Sequence, residues 1–154
     1  MLFKDFIYTP KPALQNVRLT CIIHPNDQTK LLEHYQINPQ HRDGNLKKSQ
    51  WSISCEDEVA VFAQTCSDGL VEENQYMWGL YMPGNKPEVL GYTKNKYDSK
   101  IAIFDNGKHN GFWHGYPADY IKNNDVPPSD FLDYWRDKQL INKSDINKII
   151  KGLW

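Results

Sequence analysis

From Tyr76 onward the chain is cut into short apolar segments by turn sequences, a pattern that points to an antiparallel sheet before anything else. Tyr76 to Met82 is apolar on both faces, as an interior strand is. Pro83-Gly84-Asn85-Lys86-Pro87 turns it back into Val89 to Tyr92, Asn95 to Ser99 turns again, and Lys100 to Phe104 runs into the hairpin sequence Asp105-Asn106-Gly107. The last segment, Gly111 to Pro117, carries three rings and an imidazole, with Gly115 and Pro117 set to end a strand. Four consecutive antiparallel strands over 76–116 are therefore expected.

The first half of the chain adds one or two strands. Phe3 to Tyr8 is a short aromatic segment closed by Pro10 and Pro12, so a strand or an extended arm fits and a helix beyond Thr9 does not. Val17 to His24 alternates like a half-buried strand. Pro25-Asn26-Asp27 then reads as the start of a helix over 28–35, with Leu31, Leu32 and Tyr35 on one face. Residues 38–50 are polar, broken by Pro39 and Gly44, and form a long loop where a phosphate-bearing or acidic partner would find His41, Arg42, Lys47 and Lys48. Trp51 to Cys55 alternates as a short strand. Ser54 and Asp57 resemble a capping box in front of the acidic turn Glu56-Asp57-Glu58, so a helix over 56–66 is expected, with Val59, Phe62, Ala63 and Cys66 inward and Gly69 near its stop. The β-branched and aromatic residues in that span keep a strand open as the alternative.

After the connector at 122–128, Ser129-Asp130 and Ser144-Asp145 open two short amphipathic helices, with Phe131, Leu132 and Trp135 on the first and Ile146, Ile149, Ile150 and Leu153 on the second. This C-terminal helical hairpin, 129–153, needs an apolar surface, and the open face of the sheet supplies one. A helix-turn-helix reader of DNA is the sharper alternative, but the second helix has few side chains suited to base edges. The expected architecture is a single α+β domain over 1–154: an antiparallel sheet packed by short helices.

Charge and motifs narrow the function. Eighteen basic and 19 acidic residues leave a net charge of −1, so strong electrostatic capture of nucleic acid is not indicated. Cys21, Cys55 and Cys66 match neither a disulfide framework nor paired metal-ligand spacing, and reduced thiols in a cytoplasm fit them. The first residues lack the pattern of a signal peptide, and no apolar run approaches the roughly 20 residues needed to cross a bilayer. A soluble cytoplasmic protein is expected, with no cofactor and no metal. Dinucleotide, P-loop, zinc-protease and serine-hydrolase signatures are absent from the sequence. The passage from Trp51–Ser54 into a helix with an acidic start, followed by a sheet, resembles the middle of ADP-ribosyltransferase-type folds. It departs from them in lacking an assignable late Glu-bearing motif.

The aromatic content, 13% of residues, suggests two kinds of work. The first expectation is a small binding or inhibitor protein of accessory bacterial or viral type. Its partner would be another protein, docked on Trp113, Tyr116 and Tyr120 beside His41 and Arg42. The alternative is a small enzyme, nuclease-like or nucleotide-handling, with His114 as general acid or base, Asp105 orienting it and His109 or Lys108 stabilising charge. A single-stranded nucleic-acid reader using the same rings is the third reading, with the missing basic excess against it. The enzyme requires His114 to lie in a concave pocket; the docking surface requires a flat patch of rings.

Overall fold

The computed structural model describes residues 7–12, 19–24, 32–107, 112–122 and 125–154. In chain order the elements are β1 (Ile7–Pro12), β2 (Leu19–His24), β3 (Glu33–Gln36), β4 (Gln50–Trp51), α1 (Cys55–Asp68), β5 (Tyr76–Leu80), β6 (Gly91–Tyr92), β7 (Asp98–Ser99), β8 (Ile101–Asp105), β9 (Phe112–Pro117), α2 (Ser129–Asp137) and α3 (Lys143–Ile150). A 3-10 turn, Pro39–His41, lies between β3 and β4. The fold is α+β, with a six-stranded sheet in the order β1-β2-β3-β9-β8-β5 and a three-stranded sheet in the order β4-β6-β7. Pairing is antiparallel throughout except between β3 and β9.

Strand β8 shows why the chain forms layers. Ala102 and Phe104 point to one side of the main sheet, where Tyr35, Met77 and Trp113 meet Val59, Val61, Phe62 and Ala63 of α1. Ile101 and Ile103 point to the other, with Trp78 and Leu80, against Phe131, Leu132 and Trp135 of α2 and Ile149 of α3. A strand buried on both faces reads as a continuous apolar run, which Ile101–Phe104 is. Each of those fully buried large side chains stabilises the fold by about 1.5–3 kcal/mol relative to exposure.

Helix α1 begins as its sequence indicates. Ser54 Oγ accepts the Asp57 N–H at 3.1 Å, three acidic residues occupy the first turn, and Gly69 closes the helix. At the other end of the chain the start signals differ from expectation. Ser129 is the first residue of α2 and makes no side-chain cap. Helix α3 is capped not by Ser144 but by Asn142, whose side chain accepts the Asp145 N–H while Asp145 accepts the Asn142 N–H, both at 2.9 Å.

Two sequence expectations are met only in part or corrected. The helix expected over 28–35 gives way at its end to β3: Glu33–Gln36 pairs with β2 on one side and β9 on the other. As a strand, this segment drives the Tyr35 ring completely into the core while Leu32 stays half-exposed, so burial of one large ring outweighs the helical spacing. Residues 25–31 lie outside the described set. The four-strand meander over 76–116 is matched in part, since β8 and β9 form the expected antiparallel pair. β5 skips its expected partner and pairs with β8, while β6 leaves the main sheet to pair with β4 and β7. Gly91 permits this departure: a Cβ there would lie 2.3 Å from the Gln50 carbonyl oxygen and 2.4 Å from Pro117, so only a glycine lets β4, β6 and β9 approach so closely. The short strand expected over 51–55 shrinks to Gln50–Trp51, because Cys55 already belongs to α1.

Candidate active site

Strand β3 accompanies β9 only at His34–Tyr35 opposite Phe112–Trp113. Past that point β4 takes over beside β9, its Trp51 indole N–H donating to the Gly115 carbonyl at 3.2 Å. Where the neighbours of β9 change, a cavity of about 390 Å³ opens, within the size range of ligand pockets. The 38–50 loop brings Asn38, His41, Lys48 and Ser49 to its wall. β9 brings His114, Tyr116 and Pro117, the β6–β7 turn brings Lys94, and the segment before α2 brings Asp119 and Asp125.

The loop is held by its own polar side chains. Gln50, 2% exposed, accepts the Gly44 N–H at 2.9 Å through its amide oxygen and donates to the Gln40 carbonyl at 2.9 Å. Asn38 accepts the Gln40 N–H at 3.0 Å and starts the 3-10 turn that presents His41. Arg42 turns away from the cavity. Its Nε and Nη2 donate to Glu58 Oε1 at 3.0 and 2.7 Å, and its Nη1 donates to the Ile53 carbonyl at 2.9 Å. The Tyr35 hydroxyl donates to the other Glu58 oxygen. Burial raises the Glu58 pKa, and the Tyr35 and Arg42 donors oppose that rise. A completely buried carboxylate on α1 thus ties down the residue next to His41.

His41 is the most constrained group in the wall. Its Nδ1 lies 2.8 Å from the Ser49 carbonyl oxygen, which can only accept, so Nδ1 carries the proton and Nε2 offers a lone pair when the ring is neutral. The ring stacks on Tyr116, with centroids 5.2 Å apart and planes 19° apart. Burial lowers the His41 pKa below 6.5, and Lys48 and His114 push it the same way, against Ser49 and Asp43. Burial also pushes the Tyr116 phenol up, with Asp125, Asp105 and Tyr76 adding to the shift. The two acids of the wall are engaged in their own turn. Asp125 accepts the Asp119 N–H at 3.0 Å, and Asp119 accepts the Lys122 N–H at 3.1 Å. Burial raises the Asp125 pKa.

Of the residues singled out from the sequence, the cavity gathers His41, His114 and Tyr116. Asp105 sits directly opposite His114 in the β8–β9 register, and its carboxylate accepts the Gly107 N–H at 2.6 Å and the Gln75 amide at 3.3 Å. His109 lies outside the described residues. Trp113 and Tyr120 are 4% and 2% exposed, so both rings serve the core: Trp113 donates to Glu33 at 2.9 Å and Tyr120 to the Trp154 carbonyl at 3.3 Å. The alternation of β9 carries the signal for this division, since Trp113 faces α1 while His114 and Tyr116 share the other side. Nothing in the sequence marks Lys94, Asp119 or Asp125, which arrive by tertiary convergence. Among the described residues no three His, Cys, Asp or Glu side chains converge to hold a metal ion. Nor is any helix among them long and apolar enough to cross a membrane.

No known protein family matches the chain, and no curated protein or solved structure is significantly similar to it.

Proposed function

We propose that the protein is a small enzyme that moves protons between His41, His114 and a phosphate-bearing substrate held in the cavity. The observation that supports this most is two imidazoles from distant parts of the chain on one concave wall, with Lys48 beside His41. His41, neutral near physiological pH and offering Nε2, suits the base. His114 suits the acid that returns a proton to a leaving group. Asn38, Lys48 and Lys94 provide donors and positive charge for phosphate oxygens, while the two wall carboxylates are engaged by backbone amides. The test is incubation with a panel of nucleotides, RNA and DNA, with products read by mass spectrometry for the wild type, His41→Asn and His114→Asn. Turnover with a bell-shaped pH profile, lost in both variants, is expected; turnover unchanged in either variant, or none with any member of the panel, refutes the proposal.

The second reading is a binding or inhibitor protein. It is supported by two exposed apolar side chains, Phe112 at 39% with the His34 ring 5.1 Å away and Leu32 at 51%. A partner captured by the wild type and lost with Phe112→Ala, but retained with His114→Asn, would favour it.

A further inference from the structure

Resting on the acid–base reading above, we infer that the cavity's substrate is single-stranded RNA, cleaved by the attack of its own 2′-hydroxyl on the neighbouring phosphorus. The cavity holds a base and an acid, and among the described residues no hydroxyl or thiol is hydrogen-bonded to the His41 ring. His41 binds the Ser49 main chain through Nδ1, so its Nε2 points away from that residue. The Tyr116 hydroxyl belongs to a phenol that its burial keeps protonated. Asp119 and Asp125 are taken up by the N–H groups of Lys122 and Asp119. A substrate that brings a hydroxyl next to its own phosphodiester completes the set, and among polynucleotides that is RNA.

The step balances without any further reagent. Nε2 of His41 takes the proton from O2′ as the O2′–P bond forms. The P–O5′ bond breaks, and His114, protonated at the start, gives its proton to the departing O5′. The products are a 2′,3′-cyclic phosphate and a 5′-hydroxyl, with His41 protonated and His114 neutral until both exchange with water. Two lysines line the cavity and the chain as a whole carries −1, so only a short stretch of strand is held by charge. Two phosphate contacts to a single strand correspond to a salt slope of about −1.4 in log K against log salt.

The test uses the full chain with a DNA oligonucleotide carrying a single ribonucleotide and its all-DNA counterpart. The variants are His41→Asn and His114→Asn, checked for folding by circular dichroism, and Lys48→Ala, which alters only an exposed side chain. The expected result is a cut immediately 3′ of the ribonucleotide, a cyclic phosphate end seen by mass spectrometry, and a rate lowered about a hundredfold or more in each histidine variant. Lys48→Ala is expected to weaken binding and flatten its salt dependence. Equal cutting of the all-DNA strand would overturn the inference and leave the acid–base reading standing, because water would then be the nucleophile. The same holds if neither strand is cut while the panel shows another histidine-dependent turnover. Cutting unchanged in either histidine variant, or no action on either strand or on the panel, would overturn both.

Discussion

Removing Arg42 is expected to destabilise the protein far more than loss of a surface ion pair would. Glu58 is fully buried and its partner side chain is 21% exposed, so Arg42→Ala leaves a carboxylate in the core with only the Tyr35 hydroxyl as donor. Breaking a buried pair from one side costs about 3–5 kcal/mol, and the partial exposure of Arg42, which lets water reach the vacated space, places this case near the low end, about 3 kcal/mol. For a chain of this length that is a fall of about 6–12 °C in Tm. The sign with pH follows from the raised Glu58 pKa. A carboxyl that binds its proton more tightly when folded loses stability as pH rises through the folded pKa, and removing Arg42 raises that pKa further. The cost of Arg42→Ala should therefore shrink as pH falls from neutral. Replacing the whole cluster, Tyr35→Phe with Arg42→Met and Glu58→Leu, should recover most of the loss, since no buried charge is then left unpaired and only the Ile53 carbonyl loses a donor. Urea denaturation of the three proteins at pH 7 and pH 5 checks the reasoning. A loss below about 1 kcal/mol for Arg42→Ala, the value of an exposed pair, would refute it.

Three further outcomes are expected. His41 has a folded pKa lowered below 6.5, so its contribution to stability is present above pH 6.5 and lost as pH falls through the folded value, at no more than about 1.4 kcal/mol per pH unit; His41→Gln should flatten that part of a stability-against-pH curve. Gly115→Ala places a Cβ 2.4 Å from Phe104 Cδ1 and 2.9 Å from Tyr35 Oη, which should cost about 1–3 kcal/mol in thermal melts; Gly84→Ala, with nothing within 4 Å, should cost nothing measurable. Asn142→Ala removes the α3 cap and should lower stability by about 1 kcal/mol, with faster amide exchange confined to 143–150.

The parts of the fold legible in the sequence are those where local chemistry and burial agree. The start of α1 at Ser54, its stop at Gly69 and the double burial of Met77–Leu80 are written in residue types and spacing. Tyr35 lies in a strand rather than a helix because one ring can outweigh a turn of helical periodicity once a neighbouring strand is ready to receive it. The departure of β6 from the meander depends on Gly91 lying against Gln50 and Pro117, a contact between three segments that no local window contains. The site divides in the same way. His114 and Tyr116 were legible as alternate positions of one strand, and His41 as part of a polar loop. The function of that loop as a structured wall was not, because it depends on a buried Gln50 amide and on an acidic residue, Glu58, whose sequence context suggests an exposed first turn of helix.

The proposed site couples His41 to His114 and receives phosphate. The measurement that tests it most directly is an NMR pH titration of the His41 ring in the wild type and in His114→Asn, each with and without inorganic phosphate. Expected are a midpoint below 6.5 in the wild type, a rise when His114 is replaced and a rise when phosphate binds to the wild type. A His41 midpoint indifferent to both the substitution and the anion would contradict it.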